Sequence, residues 1–351
     1  MRPCFALFAL VALACSSPDA ASGPPDAGAC CLDAAPADGA PADAALADGP
    51  ATDGAAARRL ADASDAAVGG SADAVELAVP PSQIGGARPA AVTVPANFAA
   101  QAKWPLVLVL HGYGAQGALQ DAYLGVSARA TAYGFVAVVP EGTQDPAGNQ
   151  FWNAIPACCD FAKSGVDDLG YLTGLVDEAI AKLRVDPQRV YVVGHSNGGF
   201  MAQRLACERA DKFVAFASIA GSAQADAGTC KPSAPVAALF IHGTKDATVS
   251  YAGSSSGNSS GPLKVAYPGA EELASRWRTL NGCSAQAVVG SPLDHDTQVS
   301  GPETLPTAWT GCQGASRVDL WTMTGSAHIP LFTAAFRDRL VEHLLAQVRD
   351  N

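Results

Sequence analysis

The sequence has few basic residues for its length: 22 Lys and Arg stand against 33 Asp and Glu in 351 residues, and the formal net charge is −11. It contains neither the basic stripe that a nucleic-acid surface needs nor a run of Lys and Arg that would bind anionic lipid. The acidic excess is uneven, because residues 16–77 carry a net charge of −9 and residues 78–351 only −3. The sequence therefore predicts a nearly neutral folded part and no nucleic-acid partner.

Metal-binding patterns are absent as well. No C-x-x-C, no H-E-x-x-H and no group of histidines and acids at ligand spacing occurs, so neither a metal nor another cofactor is predicted. The ten cysteines are too many for a reducing cytosol and indicate disulfides in an oxidising compartment. A cysteine nucleophile is not expected in such a compartment.

The N-terminal apolar run, residues 5–14, is too short to cross a bilayer as a helix, and with Arg2 before it this run is typical of an export signal. Residues 12–15, Ala-Leu-Ala-Cys, resemble the lipobox of bacterial lipoproteins, although Leu is usual where Ala12 stands. We predict a signal peptide at residues 1–15 and a lipid anchor on Cys15. Ordinary signal cleavage a few residues later is the alternative. Both predict an exported protein, extracellular or in the cell envelope.

Residues 16–74 contain very few large apolar side chains and consist almost entirely of Ala, Asp, Gly, Pro and Ser. Aspartate recurs every five residues from Asp33 to Asp53, a period that fits neither helix nor strand. Such a composition cannot bury a core, so we predict a disordered, self-repelling linker. The role of Cys30 and Cys31 within it is open.

Residues 75–351 alternate short β-branched runs with longer helical patterns, which predicts one α/β domain with a mostly parallel central sheet and helices on both faces. Several strands show no polar alternation, as expected of strands buried on both faces. Strands are predicted at residues 91–94, 106–110, 135–139, 190–193, 214–219, 237–241 and 318–323. Helices are predicted at residues 168–183, 199–207, 271–280 and 334–349.

The strongest functional signal is the G-x-S-x-G motif at residues 194–198, with Ser196 at its centre. A buried strand precedes the motif and an amphipathic helix follows it, and this context predicts a sharp turn that lifts the serine hydroxyl off the sheet. The small residues at both ends of the motif would prevent collisions in that turn. We predict that Ser196 is a nucleophile; a purely structural glycine-rich turn is the alternative.

A serine nucleophile needs a base, and His328 is the best candidate. It lies in a loop of small residues just after the last predicted strand, on the side of the sheet where catalytic groups gather. His343 is predicted to be a solvated residue of the C-terminal helix, and His295 lies in a polar loop. His195 is predicted to point away from the nucleophile. Two histidines that end strands are predicted to pack and hydrogen-bond locally: His111 and His242.

For the acid that orients the histidine, Asp246 is the best candidate. It follows the predicted strand 237–241 through a short turn and lies between serine and histidine in the expected chain order. Asp294 and Asp296 are alternatives, but no strand pattern surrounds them. A surface aspartate that caps the turn is the remaining explanation for Asp246.

Two backbone N–H groups should bind the oxyanion. One is the amide of Asn197, directly after the nucleophile, and the other should come from the His-Gly-Tyr-Gly loop after the strand 106–110. We predict Tyr113 as the second donor, with Gly112 or Gly114 as alternatives.

Taken together, these motifs resemble secreted esterases similar to polyhydroxybutyrate depolymerases, feruloyl esterases and acetylxylan esterases. The resemblance covers residues 85–348 and is carried by residues 105–114 with their His-Gly, 151–153 ahead of a Cys-Cys pair, 166–168, 194–204, 242–251 and 281–283. It implies an α/β-hydrolase fold and a serine esterase that needs no cofactor. The implied catalytic residues are Ser196, Asp246 and His328, and the implied substrate is an ester, possibly polymeric.

The resemblance also implies that Trp152, together with Tyr113, lines the substrate cleft, although a core position for Trp152 is nearly as consistent with the sequence. Family-like spacing implies two disulfides, Cys207–Cys230 and Cys283–Cys312. Cys158 and Cys159 pair with each other or bridge elsewhere. Around the histidine, the sequence Ala327-His328-Ile329-Pro330 lacks the preceding glycine and the following aromatic residue that such enzymes usually carry, so the aromatic wall beside the histidine is missing.

Two other kinds of function fit the sequence less well. A serine peptidase would use the same three residues, but such enzymes usually carry a recognition domain, and no blade-like repeat precedes this one. A non-catalytic surface module would have no physical need for a strained serine turn.

Overall fold

The computed structural model describes residues 79–156, 158–255, 263 and 265–349. The predicted signal peptide, the linker and the lipidation site Cys15 therefore lie outside the described residues, as do Cys30, Cys31 and the first residues of the predicted domain.

The described domain is built around a ten-stranded sheet. Its strands are β1 Gln83–Ile84, β2 Ala90–Thr93, β3 Trp104–Leu110, β4 Val136–Val139, β5 Val185–His195, β6 Ala215–Ile219, β7 Ala237–Gly243, β8 Val288–Val289, β9 Thr304–Trp309 and β10 Val318–Met323. They lie in the order β1-β2-β4-β3-β5-β6-β7-β10-β9-β8. Six adjacent strands, from β4 to β10 in that order, are parallel, and the two strands at each edge run antiparallel to their neighbours.

Helices cover both faces of this sheet, as the sequence predicts. The helices are α1 Gly117–Leu124, α2 Ala130–Tyr133, α3 Asp168–Lys182, α4 Asn197–Glu208, α5 Ala270–Leu280 and α6 Ala334–Leu345. Helices α3, α4 and α5 contribute to one hydrophobic cluster, and α1, α2 and α6 contribute to the other. Alternate residues of each central strand feed the two clusters; in β3, Leu108 joins the first and Val107 the second. This double burial explains why β3 shows no polar alternation.

The sequence-based boundaries differ from the structure mainly at the edges. The predicted helix 334–349 ends at Leu345. Strand β9 and helices α1 and α2 were not predicted: β9 is an antiparallel strand with partly exposed residues and an internal Pro306, so it lacks the continuous apolar run of a central strand. Among the described residues no helix is both long enough and apolar enough to cross a membrane.

The six described cysteines all form disulfides. Cys207 at the end of α4 is bonded to Cys230, Cys283 is bonded to Cys312, and the neighbours Cys158 and Cys159 are bonded to each other. The first two bonds join cysteines that are 23 and 29 positions apart in the sequence. Closure of loops this long typically stabilises a domain by about 3 kcal/mol each.

Candidate active site

The G-x-S-x-G motif forms the turn between β5 and α4. Ser196 has φ +55° and ψ −119°, a backbone conformation that a residue with a side chain rarely adopts. A Cβ atom at Gly194 would lie 2.1 Å from the carbonyl oxygen of Gly198, and one at Gly198 would lie 2.2 Å from that of Leu110. Both positions therefore require glycine. The Ser196 amide donates to the carbonyl of Ile219 at 2.8 Å, which ties the turn to β6.

Three side chains from three strand ends meet at this turn. The Ser196 hydroxyl lies 3.0 Å from Nε2 of His328, and Nδ1 of the same imidazole lies 2.7 Å from Oδ2 of Asp246. The serine hydroxyl therefore donates to Nε2 when Nδ1–H donates to the carboxylate. The side chain of His328 is 14% exposed, whereas that of Asp246 is fully buried. The structure thus brings the three predicted catalytic residues into one hydrogen-bonded chain.

The carboxyl of Asp246 is held from several directions. Its Oδ1 accepts the amides of Thr248 and Val249, both at 2.8 Å, and its Oδ2 also faces Nε2 of His242 at 3.2 Å. Burial raises the pKa of this carboxyl, but the hydrogen bonds from His242 and His328 outweigh burial and leave the pKa well below its ordinary value. Asp246 is therefore a carboxylate at neutral pH, as an acceptor for an imidazolium requires.

The other predicted acids lie elsewhere. Oδ1 of Asp296 accepts the amide of Leu331 at 2.9 Å and so holds the segment after His328, but its carboxylate has no hydrogen bond to the imidazole. The carbonyl of Asp294 accepts from the Thr333 hydroxyl. Neither Asp294 nor Asp296 takes the position of Asp246 as the acid that binds His328.

His195 contacts the backbone of His328, which the sequence did not indicate. Its ring points away from the serine, as predicted, and its Nε2 donates to the carbonyl of His328 at 2.8 Å. Burial lowers the pKa of His195 to about 3, so the ring is neutral at working pH. A neutral donor here fixes the His328 backbone without placing a second positive charge beside the imidazole.

The prediction that His343 is a solvated helix residue is wrong. Its side chain is 10% exposed, packs edge-on against Trp321 and faces the carboxylate of Asp319 at 3.6 Å. The helical pattern alone could not reveal this contact, because it depends on how α6 lies on β10.

The buried histidines make folding sensitive to acid. Burial lowers the pKa of His111 and of His343 to about 4, and that of His195 to about 3, from 6.5. Between pH 6.5 and 4 the unfolded chain binds protons that these rings do not, so stability falls as the pH falls, by about 1.4 kcal/mol per pH unit and histidine. We expect urea unfolding to show this loss from pH 6.5 to 5, and His343→Gln to reduce the slope by about a quarter to a third, because burial also lowers the pKa of His295. An equal slope in the variant would contradict this assignment.

The predicted oxyanion donors flank the serine. Asn197 is the first residue of α4, where a helix leaves its amides without intrahelical acceptors and where its dipole favours negative charge. The loop after β3 lies against the turn, because a Cβ atom at Gly112 would be 3.4 Å from Cβ of Ser196. In the described chain the amides of Gly112 and Gly114 already donate to Gln120 Oε1 and to the Gln150 carbonyl. Of the three candidate amides in this loop, that of Tyr113 is therefore the one that remains available to bind the oxyanion.

Trp152 is fully buried in the core, which agrees with the alternative position that the sequence left open for it and not with an exposed wall of the cleft. Its indole N–H donates to the carbonyl of His111 at 3.0 Å, and its backbone is clamped by the Asn197 side chain through bonds of 2.7 and 2.9 Å. Trp152 thus links the β3 loop to the serine turn. A large aromatic residue with a single N–H fits a buried position where that N–H finds an acceptor.

We expect Trp152→Phe to lower kcat about tenfold with little change in KM. The lost hydrogen bond is worth about 1 kcal/mol, and its loss would loosen the loop that carries Tyr113. Trp104→Phe is the matched control, because Trp104 is equally buried and its indole N–H donates to Phe98 O at 3.0 Å, with no bond to the serine turn or the β3 loop. Steady-state kinetics and urea unfolding of both variants distinguish the roles. Equal kcat losses in the two variants would show that Trp152 acts through stability alone.

Exposed apolar side chains flank the site. The Tyr113 ring, 37% exposed, meets Phe161 edge-on at 5.3 Å, and the Tyr113 hydroxyl donates to Asp145. Ile329 and Leu331 are about half exposed directly after His328. Phe161 was missed in the sequence, since a lone aromatic residue in a polar loop carries no periodic signal. Tyr113 therefore offers an exposed ring beside the site as well as a backbone donor.

Within the described ranges, no group of three or more His, Cys, Asp and Glu side chains is arranged to hold a metal ion.

The strand order and the strand–serine–helix turn define the α/β-hydrolase fold. An acetyl xylan esterase from Aspergillus awamori shares this architecture: the match has a TM-score of 0.50 at 16% identity and covers 75% of this chain and 97% of that one. The model of the esterase family named for PHB depolymerase matches residues 90–283, more than half of the chain. The chain belongs to this esterase family, which confirms the resemblance found in the sequence.

Two curated relatives agree with this membership. Feruloyl esterase B from Piromyces equi is 28% identical over 240 residues, a match that covers 68% of this chain and 42% of the relative. Putative esterase NocK from Nocardia uniformis subsp. tsuyamanensis is 36% identical over 142 residues and is matched over 40% of both chains. The matched region spans less than half the length of each relative.

Proposed function

We propose that the protein is an exported serine carboxylic-ester hydrolase in which Ser196, His328 and Asp246 act as nucleophile, base and orienting acid. The observation that carries this proposal is the hydrogen-bonded chain from the Ser196 hydroxyl through His328 to the buried Asp246 carboxylate. An ordinary structural turn would need neither the strained serine nor a buried carboxylate behind the imidazole.

The reaction proceeds by two acyl transfers. His328 removes the proton from Ser196, whose oxygen attacks the ester carbonyl, and the amides of Asn197 and Tyr113 hold the oxyanion. The imidazolium then gives its proton to the departing alcohol. A water molecule, deprotonated by the same imidazole, releases the acid and restores the serine. Every proton passes through Nε2, which is the atom that faces the hydroxyl.

The proposed substrates are esters released from or contained in polymers. Feruloyl esters, acetylxylan and hydroxyalkanoate esters are candidates, because one relative is a feruloyl esterase, a second relative, from Neocallimastix patriciarum, is a bifunctional acetylxylan esterase/xylanase, and the family is named for PHB depolymerase. The exposed Tyr113, Phe161, Ile329 and Leu331 around the site supply apolar surface for such groups.

The test combines covalent labelling with a substrate panel. A fluorophosphonate probe should modify one serine, which peptide mass spectrometry should identify as Ser196, and pre-labelling should abolish hydrolysis of p-nitrophenyl acetate, butyrate and octanoate and of methyl ferulate. The ester with the highest kcat/KM then identifies the acyl class. Labelling of another serine, or hydrolysis that survives complete labelling, would refute the assignment.

We also propose that Cys15 carries a lipid anchor and that residues 16–74 form a spacer between this anchor and the domain. The sequence of residues 12–15 and the three disulfides of the described chain support export. We expect Cys15→Ser to move the protein from the membrane pellet to the soluble fraction in a bacterial host that processes lipoproteins. Cys4→Ser is the control and should stay in the pellet. An unchanged distribution of the Cys15 variant would contradict the anchor.

A further inference from the structure

The four residues 328–331, which we call the base segment, include His328 and belong to no helix or strand. Side chains of other elements hold their backbone. His195 donates from Nε2 to the His328 carbonyl at 2.8 Å, and Tyr123 of α1 donates from its hydroxyl to the Pro330 carbonyl, also at 2.8 Å. The position of the base therefore depends on contacts with distant parts of the chain.

The Tyr123 side chain is itself packed against the residues around the base segment. Its ring meets that of His195 edge-on at 5.7 Å and that of Phe332 at 5.1 Å, both measured between ring centroids. Burial raises the pKa of Tyr123, so the hydroxyl keeps its proton at every working pH. Tyr123 is therefore a permanent donor to the Pro330 carbonyl.

The same helix also contacts residues 111–114, the loop that carries the Tyr113 amide and that we call the oxyanion loop. Gln120 of α1 is buried, and its Oε1 accepts the Gly112 amide at 3.3 Å. Gln120 and Tyr123 are three positions apart and are neighbours on the helix surface. Helix α1 thus binds the oxyanion loop through one side chain and the base segment through the other.

Both ends of α1 are attached to neighbouring elements. The Gly117 amide at its start donates to Glu141 Oε2 at 2.9 Å, and the Tyr123 carbonyl near its end accepts from Arg337 Nε of α6 at 3.1 Å. The length of a helix is fixed by its own backbone hydrogen bonds. A helix held at both ends therefore keeps its two contacts at a constant separation.

We propose that α1 holds the two halves of the site in position: Tyr123 positions the base His328, and Gln120 positions the oxyanion loop. In the described chain neither side chain bonds to the Ser196 hydroxyl or to the His328 ring, so both are positioning residues. The proposal rests on the proposed ester hydrolysis, in which His328 transfers protons and backbone amides hold the oxyanion.

The test compares methyl acetate with p-nitrophenyl acetate on the full chain, because the two esters share an acyl group and differ in leaving group. p-Nitrophenolate departs without a proton, whereas methanol needs the proton that the imidazolium returns. A displaced base therefore slows two proton transfers for the methyl ester and one for the nitrophenyl ester. We expect Tyr123→Phe to lower kcat/KM about tenfold for methyl acetate and about threefold for p-nitrophenyl acetate.

Two further variants are the matched comparisons. Gln120→Met removes the bond to Gly112 and should lower kcat/KM about threefold for both esters, because both form the same oxyanion. Tyr191→Phe removes a buried hydroxyl that donates to the Gln347 carbonyl, with no bond to the base segment or the oxyanion loop, and should leave both rates near wild type. Equal losses for the two esters in Tyr123→Phe would overturn the role of Tyr123, and unequal losses in Gln120→Met would overturn that of Gln120.

A measurement without substrate separates this proposal from the hydrolysis itself. The Nδ1–H proton of His328 donates to Asp246 at 2.7 Å and should give a downfield proton resonance that is absent in His328→Gln. We expect this resonance to broaden in Tyr123→Phe, through faster exchange with water, and to stay sharp in Tyr191→Phe. An unchanged resonance in Tyr123→Phe would overturn the positioning role. A wild type that shows the resonance but hydrolyses neither ester would contradict the proposed function, and the resonance alone would then decide the role of Tyr123.

Discussion

Replacing Ser196 with alanine should lower kcat for the best ester of the panel by roughly a million-fold, to the rate left by the oxyanion amides and by substrate binding. The substitution removes the only oxygen within hydrogen-bond distance of His328 Nε2 in the described site. Stopped-flow and long-incubation assays together cover this range of rates. KM should change little if the substrate is held mainly by the surrounding apolar surface.

The Ser196→Ala variant should fold as the wild type does. Alanine keeps the Cβ atom, so the strained turn at φ +55° is unchanged, and urea unfolding should match that of the wild type within about 0.5 kcal/mol. Ser275→Ala, on the exposed face of α5, should retain full activity. A Ser196→Ala protein that folds and keeps more than a thousandth of the wild-type rate would show that another group attacks the ester.

The central sheet and the serine turn could be predicted from the sequence because their signals are local. Buried parallel strands are written as continuous apolar runs, and the glycines at 194 and 198 are required by contacts of about 2 Å that any side chain would make. The chain order of serine, acid and histidine then selected Asp246 and His328 from several candidates.

What the sequence could not indicate depends on packing between distant segments. From the sequence, Trp152 fits a substrate contact or, almost as well, a core residue, and its buried position involves the distant loop after β3, where its indole N–H donates to the His111 carbonyl. His343 has a helical environment in the sequence, yet β10 covers its ring. Strand β9 pairs with β10 through a half-exposed antiparallel ladder, and Phe161 acquires a role only through its contact with Tyr113.

Asp246→Asn should lower kcat by about 10⁴-fold, the size of effect found when the orienting acid of such a chain becomes an amide. The carboxylate accepts Nδ1–H of His328 at 2.7 Å, whereas an amide NH₂ in its place favours the tautomer with the proton on Nε2, facing the serine. Imidazole in that tautomer cannot remove the serine proton. The nearby His242, whose Nε2 lies 3.2 Å from the same oxygen, is not an acid and cannot replace the carboxylate that orients His328.

Two matched variants separate this chemical effect from the loss of a buried charge. Asp319→Asn changes a buried carboxylate of β10 that binds Arg317, away from the serine, so it should lower stability but leave kcat within a few-fold of wild type. Asp296→Asn keeps an acceptor oxygen for the Leu331 amide and should likewise have a small effect on kcat. A loss of kcat in Asp296→Asn as large as in Asp246→Asn would mean that the segment after His328, and not the acid behind its ring, sets the position of the base.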